Sequence, residues 1–308
     1  MGQRALPIAS TQERSQRAGN VRGLTSDVIF KGLEIVELRR CDDTGYRFYP
    51  RSVAGEAEFY DMMDPEFSED PDYRHWSDEF QFALDRIRPG ERVLDVGCGY
   101  GYFVERAAEH AVASGLDANV HAQRRAVARG LDVRHGTAEA FADELAVKFD
   151  VVCTFQTLEH IFEVSSFFGA LRRMLKPGGR LIVTVPNNEP YLERFNKYAT
   201  FNTPPHHVGL WNRDSLTAAG RHFGFDLMEH AYLDVGKRPL VSAYLRAASW
   251  MGVETELHHH RRSEQVKIVA AIPFALPFAI AELAITGRTK AENIATVFRK
   301  PQSAGNAA

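Results

Sequence analysis

Cysteine is scarce, with 3 in 308 residues, at positions 41, 98 and 153. Three thiols so placed give neither a disulfide framework nor a metal-ligand spacing, so a fold built on staples or on zinc is excluded, and a reducing compartment fits. Excess charge of one sign is also lacking: 37 Lys and Arg stand against 40 Asp and Glu, for a net charge of -3. A broadly basic nucleic-acid-binding surface is therefore not expected. Long apolar runs are missing too. The most apolar stretch, Ile268 to Ala281 (IVAAIPFALPFAIA), is interrupted by Pro273 and Pro277 and falls short of the ~18–20 residues that cross a bilayer. Residues 1–25 carry Arg4, Arg14, Arg17 and Arg22 without the apolar core of a signal peptide, and Leu6 stands where a myristoylation signal has Ser or Thr. They read as a disordered leader, and the protein as cytoplasmic.

What is present is an ordinary globular composition, 44% hydrophobic and 25% charged, long enough for one large domain or two small ones. Residues 26–80 read as an N-terminal extension. Its end, 55–80, is acidic and aromatic: either a solvated helical surface or a lid in which Tyr60, Tyr73 and Trp76 close over a pocket. Residues 237–290 are basic and apolar, and read as a helical insertion that either packs as a buried pair or lies on the inner membrane face.

Between these, short β-branched runs alternate with helical periodicity. Strands are expected at Arg92–Val96, Val112–Asp117, Leu131–His135, Phe149–Phe155 and Arg180–Val185. Helices are expected at Tyr102–His110, 120–129, 138–147 and Ser165–Leu175, the last stopped by a turn at Lys176–Gly179. Strands apolar throughout and separated by helices indicate an α/β fold, a parallel sheet covered on both faces. Such sheets bind ligands at the carboxyl ends of their strands, beside the topological switch.

The sharpest local signal is Val93-Leu94-Asp95-Val96-Gly97-Cys98-Gly99-Tyr100-Gly101. Glycines between a strand and a helix let a ligand approach bare backbone. Tyr102 occupies the sixth position of a GxGxxG fingerprint, so the dinucleotide pattern is incomplete. Asp117 ends the next strand, about twenty residues after Gly97, where a carboxylate can accept hydrogen bonds from both hydroxyls of a ribose. The alternative is a helix-capping Asp before Ala118 and Asn119.

With VLDVGCGYG, SGLDAN, FDVVCTFQTLEHI and LRRMLKPGGRLIVTVPN in register, the chain resembles the class I S-adenosylmethionine-dependent methyltransferases over roughly residues 80–235 and again at its C-terminus. The resemblance implies a Rossmann-like seven-stranded, mostly parallel sheet with an antiparallel last strand, formed by residues 81–236 and 291–300. Asp226–Asp234 and Glu292–Lys300 would be its last two strands. It implies S-adenosylmethionine as cofactor. Gly97, Cys98, Gly99 and Gly101 would line its methionine end, Asp95 would position the loop or the amino group, and Asp117 with Ala118 would hold the ribose. Ala138 and Glu139 would sit by the adenine, and Phe155 and Gln156 would face the methionine. The wider chain is similar to a subgroup that methylates small, sugar or lipid-linked molecules, including the ubiquinone-biosynthesis O-methyltransferase type. Members often begin with a Cys-x-x-Cys-Gly zinc ribbon. Here Thr44 replaces the second cysteine after Cys41, so the ribbon's shape is expected without zinc.

His160, just past the fourth strand, is either a general base or an orienting residue beside Glu159. Some quinone O-methyltransferases hold a divalent metal with Glu-x-x-Glu-His. Gln156 replaces the first of those ligands, so no metal is expected. His206 and His207, after Pro204-Pro205, are the other candidate bases; the alternative is loop hydrogen bonding, with Trp211 as a packing anchor. The acceptor is expected to be a small or lipid-linked molecule, methylated on O or N. A binding protein of the same fold without turnover is the competing reading.

Overall fold

The computed structural model describes residues 37–54, 78–188, 204–233 and 293–302, with 273, 274, 276, 277, 280 and 281 besides. The leader, the aromatic lid residues Tyr60, Tyr73 and Trp76, and most of the 237–290 insertion lie outside the described residues, and with them the expected membrane contact. Among the described residues no helix is long and apolar enough to cross a membrane.

The elements run β1 (Arg39–Arg40), β2 (Arg47–Phe48), a 3-10 turn (Arg51–Val53), α1 (Asp78–Leu84), β3 (Arg92–Val96), α2 (Tyr102–Ala107), β4 (Val112–Asp117), α3 (Val120–Ala128), β5 (Val133–His135) and α4 (Ala138–Glu144). They continue with β6 (Phe149–Phe155), a 3-10 turn (Leu158–His160), α5 (Val164–Met174), β7 (Leu175–Pro186), β8 (Gly209–Leu210), α6 (Arg213–His222), β9 (Asp226–Leu233) and β10 (Asn293–Arg299). The seven-stranded sheet has the order β5-β4-β3-β6-β7-β10-β9. Its pairs from β5 through β7 are parallel, while β10 runs antiparallel to both β7 and β9. The expected Rossmann-like sheet with an antiparallel last strand is therefore present. The chain leaves β3 for β4 and β5 on one side and for β6 and β7 on the other, so the switch point lies at the carboxyl end of β3.

The period-two alternation of strands divides the core between two faces. Leu94, Val96, Val152, Leu181 and Val183 join Phe167, Phe168, Leu171 and Met174 of α5 on one face. Val93, Val151, Cys153 and Ile182 join Phe82, Phe103 and Ala107 on the other. Helix starts follow their caps: Asn119 accepts from the His121 and Ala122 amides, and Asn212 and Ser215 form a capping box at α6.

One expectation needs correction. Lys176–Gly179 does not merely stop α5, because β7 begins at Leu175. Gly178 keeps the turn-like φ of 78°. The C-terminus pins the segment into the sheet: the Gly178 amide donates to the Lys300 carbonyl at 2.9 Å, and the Lys300 amide to the Gly179 carbonyl at 2.8 Å.

The 37–49 stretch forms a small hairpin, β1 against β2, closed by the Cys41 amide donating to the Tyr46 carbonyl at 2.8 Å. β2 then pairs with β8, making a three-stranded sheet outside the main one. This second sheet places the loop before β8 over the end of β6.

Candidate active site

β3 delivers Asp95 to the switch point. The carboxylate is 2% exposed, and its Oδ1 has no partner among the described residues. Burial, and then the nearby negative charge of Asp117, push its pKa well above the usual carboxylate value. A buried, unsatisfied carboxylate oxygen is costly unless a ligand meets it. β4 delivers Asp117, which faces back onto the glycine loop. Its Oδ2 accepts from the Gly99 amide at 2.6 Å and its Oδ1 from the Asn119 amide at 2.7 Å. A carboxylate oxygen can accept more than one hydrogen bond, which suits a group that meets both backbone amides and hydroxyls.

The three glycines do different work. A Cβ on Gly97 would lie 2.3 Å from Thr157 Oγ1, and φ is 80° there. Its bareness admits Thr157, whose hydroxyl donates to the Phe155 carbonyl at 2.9 Å. A Cβ on Gly101 would meet Leu131 Cδ1 at 2.7 Å, so this glycine serves packing of the loop on α3 and β5. Gly99 carries the amide that reaches Asp117.

The other expected cofactor residues have defined neighbours in the fold. Cys98 packs with Val104, Ala126 and Val133. Phe155 packs between Phe80 and Phe103, with ring centroids 5.0 and 4.7 Å away. Glu139 accepts from Ser166 of α5 at 2.9 Å, while Ala138 is buried behind the capping side chain of Thr137. The Ala118 carbonyl meets His135 Nε2 at 3.1 Å.

Gln156 ends β6 with a left-handed φ of 47°, unusual for a non-glycine residue. Its amide nitrogen donates to Glu79 Oε1. Glu79 was missed in the sequence, where it sits in an acidic stretch that reads as solvated. Here it is 7% exposed on α1. Burial raises its pKa to about 7, against the hydrogen bond from Gln156 that lowers it. A carboxyl whose folded value is raised stabilises the fold at low pH and loses that contribution as pH rises from the unfolded value to about 7. Glu79→Gln is therefore expected to stabilise the protein at pH 8 by up to about 3 kcal/mol and to leave it unchanged at pH 4. Thermal melts of both proteins at the two pH values check this; equal shifts at both would contradict it.

The three candidate histidines come together. The 3-10 turn after β6 carries Glu159 and His160, and the loop before β8 docks on it. The Val208 amide donates to the Glu159 carbonyl at 2.9 Å, and His160 Nδ1 meets the His206 carbonyl at 2.7 Å. Ring centroids lie 4.5 Å apart for His160 and His206, 4.8 Å for His160 and His207, and 4.7 Å for the stacked His206 and His207. Residues 204–206 form a turn, and the Pro204–Pro205 bond is cis. Burial lowers all three pKa values, His206 to about 3, with the charge of His160 adding to the effect on His206 and His207. The rings are therefore neutral at physiological pH. Glu159 beside them is fully buried, its pKa raised by burial, and neither carboxylate oxygen has a hydrogen-bond partner among the described residues.

Trp211 anchors this loop. It is fully buried and stacks on Tyr46 of the hairpin at 4.0 Å, while its carbonyl accepts from the Asn188 amide at 2.7 Å.

A family model described as a methyltransferase domain matches residues 69–230, more than half of the chain. A ubiquinone biosynthesis O-methyltransferase of Pseudomonas entomophila is 37% identical over 139 residues, 38% of this chain and 60% of that protein. One from Pseudomonas putida F1 is 32% identical over 179 residues, 46% of this chain and 77% of that protein. In solved structures, a chain from the complex between the Haloferax volcanii Trm112 methyltransferase activator and its methyltransferase matches with a TM-score of 0.52. It is 18% identical, covering 78% of this chain and 98% of that one, a likeness of fold alone. From the matched family model, the sheet order and the glycine loop with its two acids, the chain belongs to the class I S-adenosylmethionine-dependent methyltransferase family.

Proposed function

We propose that the protein transfers the methyl group of S-adenosylmethionine to an oxygen or nitrogen, less readily a carbon, of a small or lipid-linked acceptor such as a sugar or a quinone-like compound. The observation that carries this is the pair of acids at the glycine loop. Asp95 presents a buried, unpartnered oxygen where the cofactor's ammonium belongs. Asp117 holds the Gly99 amide beside the bare Gly97–Gly101 backbone, where its carboxylate would meet the ribose hydroxyls. The residues present fit the cofactor, which supplies an already activated methyl on a sulfonium.

The chain's own part is to bind, align and handle a proton. Asp117 and the loop orient the nucleoside, Gln156 and Glu79 bound the methionine end, and the imidazole cluster of His160, His206 and His207 meets the acceptor's proton. Similarity to ubiquinone biosynthesis O-methyltransferases supports a hydroxyl of a quinone-like ring as acceptor. Turnover separates this reading from a binding protein of the same fold. Purified full-length protein with labelled S-adenosylmethionine and a panel of catechols, sugars and lipid extracts is expected to release S-adenosylhomocysteine only with a matching acceptor. Tight cofactor binding without release from any extract would favour the binding protein.

A further inference from the structure

The ligand nitrogens of His160, His206 and His207 all lie within 4.8 Å of one another. We infer that these three imidazoles form a binding site for one divalent transition-metal cation, with Glu159 as the adjacent charge. The inference rests on the methyltransferase reading for its purpose, not for its geometry.

Four observations carry it. Tetrahedral coordination by imidazole at ~2.1 Å places ligand atoms roughly 3.4 Å apart, so side-chain rotations of about an ångström close the set. The rings are partly open, with His207 buried and His160 and His206 half-buried, as suits a catalytic site that keeps a position for water or substrate. His160 is oriented from behind, its Nδ1 set against the His206 carbonyl at 2.7 Å. This is the backbone contact that fixes the tautomer of a metal-ligating imidazole and leaves Nε2 with its lone pair. The Gln156 carbonyl also meets this ring, but a neutral imidazole has one N–H and satisfies one carbonyl at a time. Finally, His160 Nε2 lies 4.0 Å from Glu159 Oε1, and both oxygens of that fully buried carboxylate lack a hydrogen-bond partner among the described residues. A buried carboxyl group without a hydrogen-bond partner, set against the imidazoles, is completed by a cation that draws it into its ionised form.

The sequence argues against a metal only through the Glu-x-x-Glu-His pattern, in which Gln156 replaces a ligand. The present set draws two of its three ligands from the loop before β8, outside that pattern. All-imidazole donors favour zinc, cobalt, nickel or copper over magnesium or calcium. At the site, the cation would lower the pKa of an acceptor hydroxyl that binds it. With the imidazoles then engaged as ligands and not as the base, the hydroxyl proton leaves to water, the oxygen pair forms the new O–C bond, and the pair of the breaking S–C bond stays on sulfur as the thioether.

The test is cobalt(II) titration of the untagged full-length protein after chelation, read by visible absorption and by metal content. The chain also carries the run His258-His259-His260, so the protein used has all three replaced by Ala. One equivalent of cobalt should bind with the intense visible bands of a four- or five-coordinate site, and zinc should displace it. His206→Ala and His207→Ala should each weaken binding on the order of 100-fold, whereas His110→Ala, in the exposed turn after α2, should leave it unchanged. If His207→Ala fails to fold, the half-buried His206→Gln replaces it in the comparison. Absence of stoichiometric binding at millimolar cobalt, or binding indifferent to His206 and His207, overturns the site. Calorimetry of S-adenosylmethionine on the same metal-free protein keeps the two readings apart: cofactor binding without cobalt binding sinks the metal and spares the methyltransferase.

Discussion

Asp117→Ala is expected to weaken S-adenosylmethionine binding by about 100- to 1000-fold in isothermal titration. Two hydrogen bonds from ribose hydroxyls to a carboxylate contribute roughly 3–4 kcal/mol together. The same carboxylate also receives the Gly99 and Asn119 amides at 2.6 and 2.7 Å, so its removal frees the loop that cradles the methionine. Asp117→Asn separates these contributions. It retains one carbonyl oxygen for the Gly99 or Asn119 amide but presents donors where the ribose needs acceptors. It should therefore lose less thermal stability than Asp117→Ala, since one of the two amides then faces a donor, while losing most of the affinity. Affinity of Asp117→Ala within about threefold of the parent would show that the ribose lies elsewhere.

Trp211→Ala is expected to cost about 3–5 kcal/mol of folding stability, measured by urea denaturation. The indole is fully buried and is the piece that joins the outer hairpin to the main domain through Tyr46. Its loss leaves a large cavity beside Gly209, where a Cβ would lie 2.5 Å from Tyr46 Oη and 3.0 Å from Trp211 Nε1. Methyl transfer should fall with it, because the loop bearing His206 and His207 loses its anchor. Cofactor affinity, measured well below the melting temperature, should be largely kept, since the glycine loop is built on β3 and β4. A stability loss under about 1 kcal/mol would contradict the anchoring role.

The central strands were legible because their signals are local. β3, β4 and β6 occupy the residues expected from the sequence, each an apolar run bounded by Gly, Asp or Gln. Helix ends were less so. The runs expected to reach His110 and residue 147 end at Ala107 and Glu144, where tertiary packing rather than periodicity sets the stop. Glu79 was invisible, because an acid within an acidic stretch looks solvated until Gln156 and Thr184 are brought over it. The meeting of His160 with His206 spans 46 residues and depends on β2 capturing β8, a pairing of two-residue strands that no period announces. The Ser166 hydroxyl that donates to Glu139 comes from a helix 27 residues on, and no local pattern announces that contact either.

Everything functional in this account depends on the crevice at the carboxyl ends of β3 and β4. The most direct measurement is a crystal structure of the full-length protein grown with S-adenosylhomocysteine. The account predicts both ribose hydroxyls within hydrogen-bond distance of Asp117 and the amino group against Asp95, with the homocysteine running along the Gly97–Gly101 backbone toward Gln156. Density for the nucleoside at any other place on the sheet, or an Asp95 and Asp117 pair left untouched by it, would contradict the account.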